Sequence, residues 1–187
     1  MPLHKACNPL RNTVCYRTLG LLHSLEDSLL IKNNNNNYEL YIGSKYIIYA
    51  KDLSRLFDSM IGIESISFDN LDTTYTENMM GLFRNCRVLK ELDVSNFDTS
   101  NVTNMSNMFA YTGHNSENFT LDVSNFDTSN VTDMSGMFFY AGYSNPNFTL
   151  DVSNFDTSNV TDMSSMFSGT GYISPNFTLD VSNFDTS

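Results

Sequence analysis

Leu121-Asp122-Val123-Ser124-Asn125-Phe126-Asp127-Thr128-Ser129 decides the fold, because the same nonapeptide also begins at Leu92, Leu150 and Leu179. The four starts are evenly spaced, with a period of 29. Identical sequence at a short fixed period means one structural unit stacked on itself. The same fact argues against an enzyme. A catalytic site needs unlike groups converging on one point, whereas a repeat supplies like groups again and again.

The unit reaches beyond the nonapeptide, running on through Asn130-Val131-Thr132-Asp133-Met134-Ser135-Gly136-Met137-Phe138. Copies ending at Phe109 and Phe167 differ at few positions. Asn107, Gly136 and Ser165 occupy a variable position, which is expected to face water. Degenerate copies lie upstream at a shift of 26, where Leu71, Asp72, Asn78, Met79, Leu82 and Phe83 match Phe97, Asp98, Asn104, Met105, Met108 and Phe109. About five coils of 26–29 residues therefore begin near Leu40, Ile66, Leu92, Leu121 and Leu150, with a half coil from Leu179. The longer coils carry extra residues around Gly113, Gly142 and Gly171, with Pro146 and Pro175, a composition suited to a surface turn.

Within a coil, Phe119, Leu121 and Val123 alternate with polar residues, which predicts a strand. Asn125 to Ser129 predicts a turn. Met134, Met137 and Phe138 share one helical face, and Thr132 suits its N-cap, so a short helical turn is expected next. The reading is an α/β solenoid, a stack of short parallel strands with short helical turns. Its repeat-defining residues are Leu92, Leu121, Leu150 and Leu179; Phe97, Phe126, Phe155 and Phe184; Met134 and Met163; Phe138 and Phe167. A single coil cannot stand alone. Burying an apolar side chain yields roughly 1.5–3 kcal/mol, while ordering each residue costs roughly 1–2 kcal/mol. Contacts between coils must supply the rest.

All ten Lys and Arg lie at or before Lys90, and twelve Asp or Glu follow with no cation among them. That half should repel nucleic acid and anionic membranes. Asp93, Asp122, Asp151 and Asp180 are expected to form one column, and Asp98, Asp127, Asp156 and Asp185 another. Two readings compete: a polar face whose Asp side chains cap turns, or a Ca²⁺ ladder built from hard oxygen ligands. No cofactor is otherwise expected. Mutual repulsion along a column should raise the folded pKa values.

Cys7, Cys15 and Cys86 have no metal or redox spacing, and Cys86 is expected to be packed rather than reactive. His4, His23 and His114 have no consistent partners. Sequons at Asn101, Asn130, Asn159, Asn118, Asn147 and Asn176 recur because the unit recurs, and are read as structural. Residues 1–37 form an N-terminal extension and Asn-rich linker ahead of the repeat region, 38–187. Leu19, Leu22, Leu25 and Leu29 suggest a short helix, and Tyr38 to Tyr49 a strand or hairpin capping the first coil. No convincing signal peptide or anchor is visible, and no segment is apolar enough to span a bilayer. The last copy stops at Ser187 without a closing cap. An open edge of that kind invites end-to-end association.

The eighteen-residue unit, with its Leu-Asp-Val-Ser-Asn-Phe-Asp-Thr-Ser start and Met-Ser-x-Met-Phe finish, resembles the repeat of BspA-like leucine-rich-repeat surface proteins, first noted as a mycoplasma repeat of unknown function. The resemblance covers roughly Leu40 to Ser187. It implies a leucine-rich-repeat-like fold, a cell-surface or secreted location, and binding of host or neighbouring-cell proteins. It transfers no catalytic residue. One function expected here is a non-enzymatic interaction or adhesin-type module contacting partners through Tyr111, Asn115, Tyr140, Tyr143, Asn145 and Tyr172. The alternatives are a structural spacer of a larger surface protein, or a Ca²⁺-binding acidic solenoid.

Overall fold

The computed structural model describes residues 29–34, 37–42, 48–68 and 71–185. The leucines expected to form an N-terminal helix lie outside these residues, except Leu29. The strands are β1 (Leu29–Asn34), β2 (Asn37–Ile42), β3 (Ile48–Tyr49), β4 (Ile63–Phe68), β5 (Leu71–Asp72), β6 (Glu91–Leu92) and β7 (Thr120–Leu121). β1 and β2 pair antiparallel, with Asn34 opposite Asn37. From there the sheet is parallel, in the order β1-β2-β4-β6-β7.

Its register sets Leu40 beside Ile66, Ile66 beside Leu92, and Leu92 beside Leu121. A second line of parallel bridges joins Asp52, Asn78, Asn104, Asp133 and Asp162. Both lines follow the sequence spacing of 26 and then 29, so like residues lie over like. The strands are shorter than their alternation predicts. Asp122 explains this: its carboxylate accepts the Ser124 N–H at 2.9 Å, and Phe126 N–H donates to Val123 O at 3.1 Å, bending the chain directly after Leu121.

The helical turns are a correction. No helix occurs among the described residues, so the α/β, helical-turn solenoid does not describe this chain. Through the Met134 segment the backbone N–H groups alternate. Those of Met134, Gly136, Phe138 and Tyr140 donate to the next coil at Asp162, Ser164, Met166 and Ser168, each at 2.9 Å. Those of Met137, Phe139 and Ala141 close turns to the residue three before. An α-helix would need all of them for its own carbonyls. Left-handed residues recur here as well: Asn107, Gly136 and Ser165 form one column, and Asn85, Tyr111, Tyr140 and Gly169 another. Such residues interrupt a right-handed helix. The variable column is therefore set by backbone conformation: Gly136 is buried and Asn107 partly so, while Ser165 faces water as expected. Thr132, expected as an N-cap, instead donates its hydroxyl to Thr103 O at 3.1 Å.

Side chains bind the coils together in columns. Phe57, Phe83, Phe109, Phe138 and Phe167 stack with centroid spacings of 5.4, 5.7, 5.6 and 5.6 Å. Phe119 and Phe148 make a second stack at 6.0 Å. Leu92, Leu121, Leu150, Phe97, Phe126, Phe155 and Met134 are buried in the same core, with Met163, Leu179 and Phe184 partly buried against it. Buried hydroxyls span the layers: Thr99 donates to Asp127 O at 2.9 Å and accepts from Asp127 N–H at 2.8 Å. The Asn125 amide donates to Val94, Ser95 and Phe97 carbonyls of the previous coil at 3.1, 3.3 and 3.0 Å. Asn101, Asn130 and Asn159 each donate to the previous coil's backbone as well. No buried side-chain nitrogen or oxygen among the described residues lacks a partner, as a packed interior requires.

Candidate functional site

The loops that lengthen the later coils come together as one aromatic ridge. The repeat places its rings. Tyr111 and Tyr140 hold the same place in successive coils and stack at 5.4 Å and 12°. His114, Tyr143 and Tyr172 are related in the same way, with His114 on Tyr143 at 4.8 Å and 3°, and Tyr143 on Tyr172 at 4.9 Å and 2°. Tyr140 meets Tyr143 at 5.3 Å, joining the two columns. At one end the Arg87 guanidinium lies 5.1 Å over the Tyr111 ring, in cation–π range. Tyr172 is 70% exposed, and Ile173 beside it is exposed too.

Backbone strain accompanies these rings. Tyr111 and Tyr140 hold φ of 57° and 54°. The left-handed region costs a side chain of this kind roughly 1–2 kcal/mol. The equivalent positions in neighbouring coils are Asn85 and Gly169, which take that conformation readily. Two tyrosines are thus held where Asn or Gly would serve the backbone better, a pattern found where side chains have work outside the fold.

The sequence-selected residues divide. Tyr111, Tyr140, Tyr143 and Tyr172 share the ridge. Asn115 is exposed beside it, its side-chain oxygen 2.6 Å from His114 Nδ1. Asn145 does not belong. It is buried, donating its amide to Phe119 O at 2.7 Å and accepting the Asn147 N–H at 2.9 Å. It holds the loop rather than a partner. His114, Arg87 and Phe139, whose ring meets Tyr111 edge-on at 5.4 Å, were missed. The signal for His114 was its place one repeat before Tyr143, in a column otherwise made of tyrosine.

The acidic face has a different character. Asp93, Asp122, Asp151, Asp127, Asp156, Asp162 and Asp180 each accept from the Ser two residues on. The serine hydroxyl and then its backbone N–H hold Asp93, Asp122, Asp127 and Asp156 below the ordinary carboxyl value. For Asp151, Asp162 and Asp180 the backbone N–H leads and the hydroxyl follows. Repulsion from Asp122 and Asp180 does push Asp151 up, but by less. For these carboxyls the expected upward shift is reversed, because a hydrogen bond to a carboxylate at contact range outweighs a like charge one coil away in water. Among the described residues no group of three or more His, Cys, Asp or Glu is gathered to hold a metal ion. Cys86 is fully buried, its thiol pushed up to about 12 by desolvation, and it sits 3.2 Å from Phe57 O.

With this geometry, comparison with protein families finds a match to the family described as Mycoplasma protein of unknown function, DUF285, over residues 51–170 and 115–187. The chain belongs to that family. Neither a curated protein nor a solved structure matches it.

Proposed function

We propose that the chain is a non-enzymatic protein-interaction module that presents the tyrosine ridge to a partner protein. The carrying observation is the pair Tyr111 and Tyr140, kept in left-handed backbone at the centre of an aromatic surface. Tyrosine gives large contact area with few rotatable bonds, and the hydrogen-bonded coils beneath hold the ridge in place. The resemblance to BspA-like surface proteins supports a location on the cell surface and an adhesin-type role. A partner with a basic contact face is favoured, since every ridge residue named except Arg87 lies after Lys90, where there are twelve acids and no Lys or Arg.

The test uses replacements that the fold already accepts. Tyr111→Asn and Tyr140→Gly copy Asn85 and Gly169, and Tyr172→Ser removes the most exposed ring. Adherence of the triple variant to host-cell monolayers should fall while its unfolding midpoint stays near the parent's. Undiminished adherence would move the contact to another face. No adherence by the parent would favour the second reading, a spacer, which the near-identity of the coils supports.

A further inference from the structure

We propose that Tyr143 and Tyr172 form a site of oxidative cross-linking, at which a peroxidase-type one-electron oxidant joins neighbouring coils by a dityrosine bond. This goes beyond the interaction reading and does not depend on it.

Three observations carry the proposal. First, the rings are placed for coupling: their centroids are 4.9 Å apart and their planes differ by 2°. They hold the same place in successive coils, 29 residues apart, so the two rings stack face to face. Secondly, Tyr172 is open to an oxidant at 70% exposure. Thirdly, several of the competing oxidisable groups are withdrawn. The chain has no Trp. Cys86 and the methionines Met79, Met105, Met108, Met134, Met137 and Met166 are buried. The other face of Tyr143 is covered by His114 at 4.8 Å, which leaves Tyr172 as the cross-coil phenol it meets.

The chemistry balances with hydrogen peroxide as oxidant. Each phenol gives up one electron and its hydroxyl proton, leaving a phenoxyl radical with spin on the ortho carbons. Two ortho carbons form the new C–C bond. Each ring then loses its ortho hydrogen as a proton while the oxygen regains one, restoring both phenols. Peroxide takes the two electrons and two protons and leaves as two waters. The product ties equivalent residues of successive coils, and a bond closing such a loop restricts the unfolded chain.

The absence of Lys and Arg after Lys90 rules out tryptic mapping in this half, but cleavage before Asp isolates 133–150, with Tyr140 and Tyr143, from 162–179, with Tyr172 alone. The folded protein, dilute, is treated with a haem peroxidase and hydrogen peroxide. Dityrosine fluorescence should appear, and the two fragments should emerge joined and lighter by two hydrogen atoms. Tyr140→Phe should keep this product and Tyr172→Phe should lose it. The cross-linked parent should unfold at higher urea than the untreated protein. The proposal is overturned if the joined product disappears in Tyr140→Phe, if the dityrosine joins separate chains, or if Tyr172 is oxidised without joining 133–150.

Discussion

Replacing Phe138 by Ala tests the aromatic column at a fully enclosed ring. The ring is 0% exposed and lies 5.6 Å from both Phe109 and Phe167, with Phe155 at 6.3 Å. Truncating a buried Phe costs roughly 3–5 kcal/mol. The two stacked faces place Phe138 in the upper part of that range, since each aromatic pair adds about 0.5–1.5 kcal/mol beyond area alone. A loss of about 4 kcal/mol lowers the folding equilibrium about a thousand-fold, a large share of the roughly 5–15 kcal/mol typical of a folded domain. Phe167, only partly buried in the same column, supplies the comparison and should lose about half as much, near 2 kcal/mol. Urea unfolding followed by tyrosine fluorescence reads both, without interference because there is no Trp. Phe138→Ala should show the larger fall in midpoint. A loss below about 1 kcal/mol, or an equal loss at Phe167, would mean the rings do not form a cohesive column.

Gly142 holds φ +57°, and an added Cβ would fall within the Phe148 ring. Gly142→Ala should therefore cost roughly 2–4 kcal/mol in thermal or urea melts, more than Gly81→Ala, where the nearest atom is a flexible Arg55 methylene at 3.3 Å. Asn125→Ala leaves three carbonyls of the previous coil without their shared donor and should cost about 1–3 kcal/mol by the same assay. The depressed Asp carboxyls have folded pKa values below their unfolded ones. Their stabilisation is present above the ordinary value of 3.8 and is lost as pH falls through the lowered values. Melting temperature should hold from pH 7.5 to 5 on their account and fall by pH 3; a fall confined to the alkaline side would reverse the assignment. Cys86 should resist a thiol reagent at neutral pH until urea unfolds the chain, because its buried thiol sits at about 12.

The register was legible in the sequence because it is a matter of counting: spacings of 26 and then 29 separate Leu40, Ile66, Leu92 and Leu121, and those are the residues that pair. The buried set was legible for a related reason, since Val123, Phe126, Met134 and Phe138 recur while their neighbours are polar. The helical turn was misread. Residues three and four apart, such as Met134, Met137 and Phe138, share a face on a helix. They also do so in a ribbon whose alternate amides reach the next coil, and periodicity does not separate the two. The distinguishing signal was the variable position itself: Asn107, Gly136 and Ser165 are small or left-hand-tolerant residues at a place where the backbone turns left-handed. The carboxyl shifts were misjudged because the sequence shows columns of like charge but not where each oxygen points, and the serine two residues on is nearer than the next aspartate. Of the ridge, the tyrosines were legible as loop residues. Asn145 was not legible as a buried anchor, because its Asn-Pro-Asn setting reads as exposed turn chemistry.

Backbone bonds run between coils in place of a helix. The most direct measurement is scalar coupling across hydrogen bonds by NMR, read at the Phe138 amide. The structure predicts coupling to the Met166 carbonyl of the next coil, across a bond of 2.9 Å. Coupling to the Met134 carbonyl instead would show a helical turn and would contradict the stacked register on which the rest depends.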